Sequence, residues 1–227
     1  MPTHSRLTPL NAALLLALGA PAQAATFDID SCDATALINA IDTANGNGQA
    51  DVINLSGDCV YTLTSINNVT DGSNGLPSIT STITINGNGA TIERSSVPST
   101  PDFRLIHIAA SGDLTLDQLT VQNGLAIESD PGSYTDSRGG GFLNRGTATL
   151  TNSTLLDNKA SVLGGGFANT VATATLTNST LSDNSAAVGG GFSSDGKGEV
   201  TLNNSTLSGN SASAGGDLIM FLLARSL

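Results

Sequence analysis

The sequence predicts an all-β solenoid, a stack of short parallel strands wound around one long core, and three observations carry that expectation. First, GGGFLNRGTATLTNSTLLDN at Gly139 recurs as GGGFANTVATATLTNSTLSDN at Gly164 and GGGFSSDGKGEVTLNNSTLSGN at Gly189, with a fourth start at Gly215 and Gly216. Second, Leu150, Asn152, Leu155 and Asn158 step by 26 residues to Leu176, Asn178, Leu181 and Asn184, and again to Leu202, Asn204, Leu207 and Asn210. Third, TATLT, TATLT and GEVTL alternate small or apolar with polar residues, the period of a strand with one buried face. Meanwhile the distance from Phe to the first Leu grows from 8 to 9 to 10 residues, so insertions collect in one place: LNRG, ANTVA or SSDGKG. A chain that accepts extra residues there and none elsewhere has a fixed stacking register broken by a surface loop.

Residues 1–24 read as a secretory signal. Arg6 precedes the apolar run LNAALLLALGA, and PAQAA carries an A-x-A pattern at Ala22 and Ala24, with cleavage expected before Ala25. The apolar core is too short to span a bilayer, and no later run reaches the roughly 18 to 20 residues a membrane helix needs. The expected location is extracellular or on the outer cell surface. Loss of the signal removes one base and no acid, taking the formal charge from -11 to -12, which disfavours nucleic acid and anionic lipid as partners. With 26 glycines, no Trp and 12% charged residues, the composition suits tight turns and short strands and excludes an ordinary helical enzyme. Cys32 and Cys59 are the two cysteines, and in an exported chain they are expected to pair, closing a loop of 27 residues.

Residues 25–60 are expected to form an N-terminal cap and the first coil. The segment CDATALINAIDTANGNGQADVINLSGDCVYTL is similar to the opening of the CSLREA-type domains found at the front of many exported β-helix proteins. The pieces that match are Cys32, Ala40-Ile41, Ala44-Asn45, the DVINL strand from Asp51 and YTL from Tyr61. Asp33 can cap a short helix with Leu37, Ile38 and Ile41 on one face. Such a helix would cover the open end of the first coil, with the Cys32–Cys59 bridge pinning it.

Residues 61–216 are read as stacked coils, clearest in the repeats 139–163, 164–188 and 189–214. Stacking at about 4.8 Å puts like on like. Phe142, Phe167 and Phe192 should form one internal column, Leu150, Leu176 and Leu202 a second, Leu155, Leu181 and Leu207 a third. Asn152, Asn178 and Asn204 break the alternation before Ser-Thr-Leu, which marks a bend and predicts an asparagine ladder from coil to coil. The glycine triplets follow the turns at Asn158, Asn184 and Asn210 and are assigned to backbone conformation and close approach, not to ligand binding. The pairing of GGGF with LLDN, LSDN and LSGN resembles the repeats of polymorphic outer membrane proteins, and TITINGNGATIE resembles the early coils of secreted right-handed parallel β-helix proteins. These resemblances imply a right-handed parallel β-helix and an adhesin-like passenger.

Catalysis has few candidates. Glu93, Arg94, Asp102, Arg104 and His107 lie within 15 residues, followed by Asp113 and Asp117. For a polysaccharide lyase or glycoside hydrolase of the pectate-lyase-like fold, the set would be Arg104 with Asp113 and Asp117, because such chemistry needs a base beside clustered carboxylates. No zinc constellation, G-x-S-x-G elbow or nine-residue calcium repeat is present, and neither cofactor nor metal is expected. The resemblance to adhesin-like passengers implies a non-catalytic, adhesin-like or structural surface protein, its partner a surface protein or glycan. Residues 217–227 read as an atypical apolar tail in which Leu218 to Leu223 follow the end of the repeat. They suggest a solenoid cut short, prone to self-association through an open C-terminal end.

Overall fold

A computed structural model describes residues 23–127, 137–195 and 197–220. The expected signal core and most of the apolar tail lie outside these residues. The chain is mostly β, with four parallel sheets and one short helix among the described residues.

The helix, Ala34–Asn47, begins where Asp33 accepts a hydrogen bond from Thr35 N at 2.8 Å and ends at Gly48, whose φ of +68° an L side chain resists. Leu37, Ala40, Ile41 and Ala44 are buried against the first strands, whereas Ile38 is half-buried. Cys32 and Cys59 form a disulfide that ties the helix start to the chain entering strand Val60–Leu63.

Four sheets build the stack, two from its first strands and two from Ile106 and Leu125 onward. The long sheet orders Thr26–Ile29, Asp51–Leu55, Thr82–Asn86, Asp113–Asp117, Thr147–Thr151, Thr173–Thr177 and Glu199–Asn203. The Phe sheet runs from Ile106–Ile108 through Phe142–Asn144, Phe167–Asn169 and Phe192–Ser194 to Leu218–Met220. The Leu sheet runs Val60–Leu63, Thr91–Arg94, Thr120–Gln122, Thr154–Leu156, Thr180–Ser182, Thr206–Ser208. The short sheet holds Leu125–Ala126, Lys159–Ala160, Ser185–Val188 and Ser211–Ala214. From Ile106 onward the chain visits the Phe, long, Leu and short sheets in that order and then returns to the Phe sheet. Each of the three clear repeats supplies one strand to every sheet.

Register follows the 26-residue step: Leu150 pairs with Leu176 and Leu176 with Leu202, while Leu155, Leu181 and Leu207 align in the Leu sheet. Phe142, Phe167 and Phe192 stack with ring centroids 5.3 and 5.0 Å apart. The glycine triplets are forced by this stacking. Gly164 has φ of +60°, and a Cβ on Gly165 would press on the carbonyl oxygens of Ser185 and Gly190.

One detail differs from the sequence reading, and one adds to it. The repeat does not stop at residue 216: Leu218–Met220 pairs with Phe192–Ser194 and sets Leu218 on the Phe column. The expected asparagine ladder forms, and a second, buried one runs beside it. Asn152, Asn178 and Asn204 do bond in sequence, Asn178 Nδ2 to Asn152 Oδ1 at 3.5 Å and Asn204 Nδ2 to Asn178 Oδ1 at 2.7 Å, but all three are exposed. Their φ values of +49°, +51° and +47° show what the bend demands of them. Inside, Asn158 Nδ2 donates to Asn184 Oδ1 at 3.1 Å and Asn184 Nδ2 to Asn210 Oδ1 at 3.0 Å. Asn158 and Asn184 are wholly buried, and each also donates to a carbonyl of the preceding coil, Val121 O or Leu155 O.

Candidate functional site

The residues singled out for catalysis are divided by the fold. Arg104 is wholly buried, just ahead of the Phe-sheet strand Ile106–Ile108, with a bridge to Asn74. Asp113 and Asp117 open and close the next long-sheet strand and face outward, Asp117 accepting from Asn152 Nδ2 at 3.0 Å and Gln118 Nε2 at 3.2 Å. Glu93 takes Thr62 Oγ1 and Gln122 Nε2 on its neighbouring strands. Arg94 ties down the loop after it, donating to Pro101 O and Thr100 O and pairing with Asp102 at 3.2 Å. The fold therefore buries the candidate base ahead of the Phe sheet and sets the two carboxylates on the outward face of the long sheet.

His107 is joined to residues that sequence reasoning did not find. It sits mid-strand between core residues Ile106 and Ile108, so its ring faces away from the core, toward the loop 64–81. There Nε2 meets Asp71 Oδ2 at 3.3 Å, and Nδ1 meets Ser78 Oγ at 2.9 Å. Asp71 Oδ2 also pairs with Arg145 Nε at 3.0 Å, one strand further along the Phe sheet. Burial, then the charge of Arg104, push the His107 pKa down from 6.5 to about 4, against the pull of Asp71 and with Arg145 adding to the depression. The ring is thus neutral at ordinary pH, with Nδ1 hydrogen-bonded to Ser78 Oγ and Nε2 beside the Asp71 carboxylate. Asp71 holds this position at φ of +52°, and Asn74 fixes the loop by donating to Asn68 Oδ1, Thr70 O and Gly72 O.

An Asp, His and Ser in line are the parts of a hydrolytic relay, so access decides what they do. A cavity of about 460 Å³ is lined by Asp33, Thr35, Ile38, Thr62, Asn67 and Gly75 among others, and by none of the three relay residues. Ser78 Oγ additionally lies 3.1 Å from Asn68 Oδ1 inside the same loop. These contacts fasten the loop 64–81 to two neighbouring strands of the Phe sheet. No sequence signal marks Asp71 or Arg145, since Asp71 belongs to no repeat, Arg145 sits in the variable loop of the first one, and the contacts of Asp71 cross 36 residues to His107 and 74 to Arg145.

The outward surface is the other candidate. On the long sheet Thr84, Thr115, Thr149, Thr175 and Thr201 stand in one register column. Thr147 and Thr151, and Thr173 and Thr177, flank it in the two middle strands, with Asp113, Asp117 and Glu199 at neighbouring positions. On the Leu sheet Thr91, Thr120, Thr154, Thr180 and Thr206 make a second column. Among the described residues no cluster of three or more His, Cys, Asp or Glu could hold a metal ion, and no helix is long and apolar enough to cross a membrane. No family model, curated protein or solved structure matches the chain.

Proposed function

We propose that this chain is an exported, right-handed parallel β-helix that acts without catalysis, its long sheet lying against an extended surface glycan. One observation carries the reading: five threonines in register on an outward sheet face, with further threonine and asparagine hydroxyls and amides beside them. Such rows offer donors and acceptors at about 4.8 Å between strands and about 6.6 to 6.8 Å along them, a repeating pattern suited to a repeating polymer of hydroxyls. Right-handedness follows from the preference of crossover connections between parallel strands. The net negative charge selects neutral or basic glycans over acidic ones. The contacts of His107 and the separation of Arg104 from Asp113 and Asp117 support a scaffold over an active site.

Pull-down on insoluble neutral and basic polysaccharides tests this. The chain is expected to bind, Thr149→Glu with Thr175→Glu to abolish binding, and Thr154→Glu with Thr180→Glu on the Leu sheet to leave it in place. Equal loss from both pairs, or binding by neither parent nor variants, overturns the assignment of the face. Release of unsaturated sugar product that disappears in Arg104→Ala would favour the lyase reading in its place.

A further inference from the structure

We infer that the cleft between the helix and the first strand of the Leu sheet is a binding site for an amino sugar, separate from the long-sheet face. None of its lining residues belongs to the long sheet or to a repeat. One wall is the first turn of the helix, with Asp33, Thr35 and Ile38. The other is the chain from Thr62 to Asn67, which leaves strand Val60–Leu63. The space between them, about 460 Å³, falls within the roughly 300 to 1,000 Å³ of small-molecule sites.

Both walls are braced from behind, so the space is preformed. Cys32, one residue before Asp33, is bonded to Cys59, one residue before Val60, which fixes the helix start against the strand. On the opposite wall Asn67 N donates to Asn74 O at 2.8 Å, and Asn68 Nδ2 donates to Leu76 O at 3.0 Å. Gly75 adds no side chain to the lining, and a Cβ there would strike the Phe103 ring 2.6 Å away.

The lining suits a polyol. Thr35, Thr62, Thr64 and Ser65 bring hydroxyls and Asn67 an amide, groups that both donate and accept. Among the described residues, the hydroxyls of Thr35, Thr64 and Ser65 make no hydrogen bond within the chain, so they can turn to a ligand. Ile38 is half-buried and Ile66 is 38% exposed, which places apolar surface among these polar groups. A sugar ring divides its surface in the same way, with C–H bonds on its faces and hydroxyls around its edge.

Charge selects the kind of sugar. Among the described residues Asp33 is the single ionisable side chain of the lining. Its Oδ1 accepts from Thr35 N at 2.8 Å, which leaves Oδ2 for a ligand. Thr62 leads to a second carboxylate, donating to Glu93 Oε1 at 3.0 Å. The base next to Glu93, Arg94, is committed to the loop after it through Thr100 O, Pro101 O and Asp102. Two carboxylates, with no base in the lining, attract a protonated amine and repel an acidic sugar.

Glucosamine, glucose and glucuronate, each titrated into the full chain by calorimetry, test the site. Saturable binding is expected, tightest for glucosamine and weakest for glucuronate. Asp33→Asn puts an equally good helix cap in place and removes the charge. It is expected to weaken glucosamine about tenfold or more, to affect glucose far less, and to leave the melting temperature unchanged. Ser65→Trp, on the exposed rim, is expected to fill the cleft and abolish binding of both sugars while far-ultraviolet circular dichroism stays that of the parent. Binding of none of the three sugars, glucuronate as tight as glucosamine, or an affinity for glucosamine that Asp33→Asn does not lower overturns the proposal. Should Ser65→Trp fail to fold, Asp33→Asn decides alone, because a merely structural role for Asp33 would leave the contrast between glucosamine and glucose where it was.

Discussion

Asn178 and Asn184 lie six residues apart in one repeat, each in a 26-residue column, and the fold asks different things of them. Asn184 is buried and its amide bonds Leu155 O and Asn210 Oδ1 while its own oxygen accepts from Asn158, so truncation strands several groups at once. Asn184→Ala should cost about 1 to 3 kcal/mol, and glycine should not rescue it. Asn178 is exposed at φ of +51°, so Asn178→Ala should cost roughly 1 kcal/mol through backbone strain, recovered largely by Asn178→Gly. Denaturant midpoints of the four variants check both statements. Lys197→Ala, on the surface of the variable loop, should change stability by under about 0.5 kcal/mol. Both columns were legible from spacing alone; which of them turns inward was not, because the two have the same period and differ in backbone conformation. His107 gives a second test at this scale. Its folded pKa of about 4 lies below its ordinary 6.5, so the unfolded chain binds the proton first, and stability contributed by the neutral ring is present above pH 6.5 and lost as pH falls toward 4. In His107→Gln the fall in melting temperature across that window should be shallower than in the parent.

Among elements, the cap and the glycine corners carry the clearest expectations. Replacing Cys32 and Cys59 by Ala removes a closed loop of 27 residues and should lower stability by about 3 to 4 kcal/mol, read from denaturant melts of oxidised parent and double variant. Gly165→Ala must push apart carbonyls of two neighbouring coils and should cost about 1 to 3 kcal/mol, more than Gly46→Ala in the helix, where an added Cβ meets nothing within 4 Å. Strands and corners could be read from the sequence because each is repeated, and repetition turns a weak local pattern into a register. The helix could be read from Asp33 and its apolar face. The loop 64–81 could not: it occurs once, and its hold on the stack depends on Asp71 reaching His107 and Arg145 from far away in sequence. The same holds for the separation of Arg104 from Asp113 and Asp117, since nearness along the chain does not say where in the stack a residue falls.

For the whole molecule the governing quantity is distance along the stack. Stacked parallel strands convert sequence separations of 26 to 34 residues into single steps of about 4.8 Å, and the threonine column makes this measurable from one outward face. Thr84 and Thr201 are 117 residues apart in sequence and four strands apart in the long sheet. Spin labels at these two positions, in a sample diluted with unlabelled chain so that contacts between copies do not contribute, give the most direct test. The stacked-coil account predicts one narrow distance distribution near four strand spacings, about 19 Å apart from the length of the label arms. A broad distribution reaching several tens of Å, or a distance unrelated to the strand count, contradicts it.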